Sequence, residues 1–162
     1  MAVERALIPT FYAGWQDYQQ ALSEAIAPLN AGQLALRAAP TMRSVGEIAA
    51  HIVGARARWF HLLMGEGGGE LAALGKWDRR GAQMRSASEL IAGLETTWTE
   101  MQAAIARWSD ADWGKTWPGK GGGEPEVITR QWVIWHLVEH DLHHGGEISI
   151  TLGANGVSGV AL

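Results

Sequence analysis

Apolar positions recur at three- and four-residue spacing in separate stretches of this chain. In the first, Phe11, Trp15, Tyr18, Leu22 and Ile26 share one face of a helix. Pro9-Thr10 supplies a start signal, and Pro28 with Asn30-Ala31-Gly32 ends the pattern. The second stretch opens at Ser44-Val45-Gly46-Glu47, which reads as a capping box. The serine oxygen takes a free backbone N–H there, and Glu47 reaches back to the cap. Ile48, Ile52, Ala55, Trp59 and Leu62 form its stripe, which stops near Gly65. The third has a box at Ser86-Ala87-Ser88-Glu89, followed by Leu90, Leu94, Trp98, Met101, Ile105 and Trp108, and leaves at Ser109-Asp110. The fourth runs from about Thr129 to Leu152. No strand-like alternation of useful length and no internal repeat appears.

The connections complete the outline. Between helices two and three lies GEGGGELAALGKWDRRGAQMR, too long to be a structureless link in a compact domain. It is expected to hold one short helical piece, Glu70 to Leu74, and it suits a crossover that lets two helices run parallel. Between helices three and four lies WGKTWPGKGGGEPE, a Gly/Pro-rich loop. Four helices with apolar faces predict an all-α fold, a four-helix bundle, as one domain over residues 1–162.

Composition narrows the chemistry. The chain has no cysteine, so thiolate nucleophiles and cysteine metal sites are excluded, and any metal must take nitrogen or oxygen ligands. The net charge is −4 with no block of Lys or Arg, which argues against a nucleic-acid partner. No apolar run reaches the length of a membrane span. The opening MAVERALIPT carries Glu4 and lacks a long apolar core, so a cytoplasmic protein is expected rather than a secreted one. The chain has nine tryptophans, most at helical positions, which read as core filling. Trp77, Trp113 and Trp117 are candidates for a pocket mouth.

Four of the six histidines fall in WHLVEHDLHHGGE, from Trp135 to Glu147. With His136 at the origin of a helical wheel, His140 lies at about 40°, His144 at about 80° and His143 at about −20°. Val133, Leu137 and Ile148 surround His140 and His144, so that pair faces inward. His136 and His143 sit at the edge beside Glu139 and Glu147. Two imidazoles one turn apart can share a metal, but a catalytic site usually needs a third protein ligand. His51, on the flank of the second helix's stripe, is the better candidate; His61 lies far from that stripe. The expected metal site is therefore His51, His140 and His144. Asp141 follows His140 as the glutamate follows the first histidine of HisGluxxHis, which makes it a candidate base. It is one methylene shorter, and a solvated helix-face residue is the other reading. Glu47, Glu139 and Glu147 are candidates to hold ligand N–H groups. A di-iron bundle is excluded, because no pair of GluxxHis motifs is present.

SVGEIAAHIVGARARWF, followed by HLVEHDLHHGGEIS, resembles the DinB/YfiT-like superfamily of metal-binding helical bundles. The resemblance covers essentially the whole chain. It implies an up-down-down-up topology, a homodimer, and a divalent metal, commonly nickel or zinc, on His51, His140 and His144. Where the family often has Arg-Gly-Gln, this chain has Gly145-Gly146-Glu147, which removes a charged substrate contact but no ligand. The resemblance further implies a small-molecule substrate and, in some members, a low-molecular-weight thiol used in S-transfer or isomerisation. Two other readings stay open. One is a metallohydrolase with Asp141 or Glu147 as base. The other is a non-catalytic, metal-stabilised binding module.

Overall fold

The computed structural model describes residues 2–120 and 124–161, with side chains from residue 11 onward. It is mainly helical. Helix α1 spans Ala2–Ile26. It starts ahead of the expected Pro9-Thr10 signal. Residues 2–8 are mostly good helix formers, which favours helix on both sides of Pro9 despite the amide donor it removes. Trp15, Tyr18, Leu22 and Ile26 are buried as expected, while Phe11 is exposed. Asn30 does more than end α1. It forms a capping box with Gln33 and starts the four-residue helix α2, Ala31–Leu34.

Ser44 caps α3, Val45–Ala57: its oxygen accepts from Glu47 N at 3.2 Å, and Ser44 N donates to the Glu47 carboxylate at 2.7 Å. The helix continues as a wider π-helical segment over Arg58–Leu63 and turns out at Gly65, whose φ of 68° suits glycine. The crossover contains α4, Gly69–Leu74, close to the expected piece. Ser86 and Glu89 cap α5, Ala87–Arg107. Ser109 and Asp112 cap a short α6, Asp110–Trp113. A small antiparallel hairpin follows, β1 Thr116–Pro118 with β2 Val127–Thr129, in which Trp117 pairs with Ile128. No strands were expected there, because three-residue strands are too short to show an alternation. Thr129 then caps α7, Arg130–Ala154.

Each long helix packs against two others: α3 on α5 and α7, and α1 on α5 and α7. The paired residues give their directions. Glu66, just past α3, meets Arg107 and Trp108 at the end of α5, and Val53 lies against Gly93, so α3 and α5 run parallel. Trp59 packs on Trp132 while His51 packs on His144, so α3 and α7 run antiparallel. Trp15 bonds to Asp141, and Tyr18 lies over Gly145, so α1 and α7 run parallel. A Cβ at Gly145 would sit 2.0 Å from the Tyr18 oxygen, so only glycine permits this close approach. Ile26, Ile52, Leu94, Leu137 and Ile148 are among the wholly enclosed side chains between the helices. Among the described residues, no helix is long and apolar enough to cross a membrane.

Candidate metal centre

Where α3 passes α7, His51 faces His140 and His144, which stand one turn apart on the same face of α7. Nε2 of His140 lies 3.1 Å from Nε2 of His51. One ligand nitrogen from each of the three histidines falls within 4.8 Å of the others. A divalent ion held tetrahedrally at about 2.0–2.1 Å requires nitrogens about 3.3–3.4 Å apart. The cluster is therefore close to the spacing such an ion needs.

Carboxylates fix two of the rings. Asp78, on the crossover, lies 2.6 Å from Nδ1 of His51. Glu147 lies 2.6 Å from Nδ1 of His144. A carboxylate can only accept, so each Nδ1–H donates to it, and the ring turns its Nε2 towards the cluster. Nδ1 of His140 is buried with no partner. Burial, and next the imidazole of His144 and that of His51, push the His140 pKa down to about 2. Burial likewise lowers His144, against the upward pull of its bond to Glu147. Burial opposes ionisation of Asp78, but hydrogen bonds from His51 and Arg58 prevail and hold its carboxyl well below the usual range. Two neutral imidazoles and a firmly ionised carboxylate suit a cation.

Local packing sets this up. Arg58 donates to Asp78 at 2.9 Å and to the carbonyl of Gly75 at 2.9 Å, which ties the crossover to α3. A Cβ at Gly54 would lie 2.8 Å from both Arg58 Nη1 and Asp78 Oδ1, so the absence of a side chain there lets the carboxylate reach His51. The other histidines stay outside the cluster. His136 stacks on Trp132 at 4.9 Å and lies 5.1 Å from Trp59. His143 is exposed, 3.7 Å from Glu147. His61 is half-buried on the π-helical segment.

Asp141 takes neither of the positions expected for it, metal-side base or solvated face. It is 0% exposed and bonded to Arg56, also 0% exposed, at 2.7 Å. Trp15 Nε1 donates to the same carboxylate at 2.7 Å, and Gln19 accepts from Arg56 at 2.7 Å. With the Arg56 guanidinium 5.9 Å from the Trp98 ring, this network touches α1, α3, α5 and α7. Of the carboxylates expected to hold histidine N–H groups, Glu147 bonds to His144. Glu47 bonds to its cap and to Arg37, and Glu139 is exposed. The one missed is Asp78, which is the only acid between Glu70 and Glu89.

The fold is similar to the crystal structure of a DinB-like protein from Bacillus cereus ATCC 10987. The TM-score is 0.71 at 19% identity, over 96% of this chain and 97% of that one. A crystal structure described as a conserved protein from Enterococcus faecalis is also similar, with a TM-score of 0.63 at 12% identity over 85% of this chain and 89% of that one. No curated protein matches the chain. The model of the DinB superfamily matches residues 15–148, a span holding the three histidines, Asp78, Glu147 and the Arg56–Asp141 pair, and the chain belongs to that superfamily.

Proposed function

We propose that this chain binds one divalent metal ion, nickel or zinc, through His51, His140 and His144, and acts on a small molecule with a low-molecular-weight thiol as cosubstrate. The observation that carries this reading is the convergence of three imidazole nitrogens, with two of the rings oriented by Asp78 and Glu147. The reading of the four long helices as an up-down-down-up four-helix bundle, with the crossover between its parallel members, belongs to the same proposal. It is supported by the order of residues paired along the helices.

A divalent ion held by His51, His140 and His144 would supply Lewis acidity that lowers the pKa of a thiol or of water. The protein's own part is orientation and exclusion of water. Asp78 and Glu147 hold two rings in register, burial keeps His140 neutral, and Trp59, Trp132 and His136 pack together one turn along α7 from His140. The chain has no cysteine, so the sulfur comes from the cosubstrate. That sulfur bonds to an electrophilic carbon, its proton leaves to solvent, and any leaving group departs with its electron pair. A hydrolase that relied on a carboxylate base would find both candidates otherwise engaged: Asp141 with Arg56, and Glu147 with His144. That engagement favours the thiol reading.

The test begins with metal analysis of untagged wild type, His51→Ala and His140→Ala. About one equivalent of metal in wild type, lost in both variants, is expected. Metal-dependent consumption of a model electrophile that requires added thiol then supports the transferase. Bound metal without thiol-dependent turnover leaves a metal-stabilised binding module. No metal after reconstitution with a panel of divalent ions defeats the whole reading.

A further inference from the structure

A cavity of about 300 Å³ opens between the end of α3, the crossover and the hairpin. Its apolar wall includes Trp59, Leu63 and Ile128. Its polar wall carries Arg58, Arg79 and Lys120, with Glu124 as the one acid. In a chain of net charge −4, this is a local excess of cations. The crossover continues it: from Gly75 to Arg85, Lys76, Arg79, Arg80 and Arg85 face a single acid, Asp78.

The cations differ in how far their donors are used. Arg58 is spent on Asp78 and on the Gly75 carbonyl. Arg79 and Lys120 are exposed, and among the described residues their side chains pair with no carboxylate. Two contacts lead from the cavity wall towards the histidine cluster. Trp59 packs 5.1 Å from His136 and 5.4 Å from Trp132 on α7. Arg58, beside it, holds the same Asp78 that orients His51.

We infer that this cavity binds a small organic oxyanion, an apolar body carrying a carboxylate or phosphate, with the anion on Arg79 and Lys120 and the body against Trp59, Leu63 and Ile128. The size is that of a small-molecule site, and apolar walls with a few placed charges are the usual construction of one. Arginine matches a planar oxyanion with paired donors, and lysine adds a point charge. As the substrate's own subsite the cavity rests on the metal-enzyme reading above. As a binding site it stands without it.

Calorimetric titration of the protein as isolated, with 4-phenylbutyrate, phenyl phosphate and the neutral 4-phenylbutanamide, tests this. At least one acid is expected to bind roughly tenfold or more tightly than the amide, because the charge-assisted bonds go to the anion alone. The Arg79→Ala/Lys120→Ala double variant is expected to lose that preference while keeping its metal content and melting temperature. Arg80→Ala serves as the control, because Arg80 lines the neighbouring cavity instead, and it is expected to bind as wild type does. Equal binding of acid and amide, no binding of either acid at millimolar concentration, or an unaffected double variant overturns the inference. Anion preference in a protein that takes no metal keeps the cavity and defeats the metal reading. Metal without anion preference does the reverse.

Discussion

Burial and neighbouring imidazoles hold His140 down at about 2, whereas in the unfolded chain a histidine titrates near ~6.5. Between those values the unfolded state binds a proton that the folded state does not. The stability His140 contributes is therefore fully present above about pH 6.5 and is lost as the pH falls below it. His144, lowered chiefly by burial, acts with the same sign. The unfolding free energy of the chelator-treated protein, from urea denaturation, should fall between about pH 7.5 and 5, by up to about 1.4 kcal/mol per pH unit for each such proton. His140→Asn, which cannot titrate, should show a shallower slope, and an unchanged slope would contradict the assignment. At this scale the three histidines were legible, because helical periodicity and an apolar surround mark an inward face. Asp78 was not, because it reaches His51 from 27 residues away along a crossover with no period. Its solitude among cations was the available signal.

Elements were legible where a local rule fixes them. The boxes at Ser44 and Ser86 set two helix starts, because side-chain oxygens satisfy specific free N–H groups, and the start expected near Thr129 proves to be capped by that residue. The box at Asn30 follows the same rule but was hidden by the proline and glycine around it. How the elements lock together was harder to see, although a signal existed. Arg56 stands four residues after Ile52, and Asp141 four after Leu137, so each charge occupies an apolar stripe. Charges so placed need partners, and they find each other. Asp141→Leu should cost about 3–5 kcal/mol, because it strands a buried guanidinium. Arg56→Met combined with Asp141→Leu should recover much of that loss, and only part, because Trp15 Nε1 and the Gln19 oxygen stay without those partners. Urea denaturation of the two single variants and the double variant gives the coupling. A double variant as unstable as the sum of the singles would show that the pair is not the tie between the helices.

For the molecule as a whole, the length of the segment joining α3 and α5 suited a crossover between parallel helices, since a short link would have forced a hairpin. The placing of that segment over His51 was not legible, because it depends on Arg58, Gly54 and Asp78 meeting in three dimensions. An ion held at the cluster would couple metal to stability. His51 comes from α3, His140 and His144 come from α7, and the crossover holds His51 through Asp78, so an ion at the cluster bridges elements far apart in sequence. The unfolded chain offers no such preformed set, so binding favours the folded state by RT ln(1 + [L]/Kd), about 2.7 kcal/mol at one hundred times Kd. For a chain of this length that corresponds to a rise in melting temperature of roughly 5–11 °C. Nickel or zinc added to the metal-free protein should produce a rise of this order, and a chelator should reverse it. His51→Ala should remove the rise, while Arg79→Ala/Lys120→Ala, outside the cluster, should preserve it. An equal rise in His51→Ala would place the ion elsewhere, for instance on the exposed His143 with Glu147, which bridges nothing between α3 and α7.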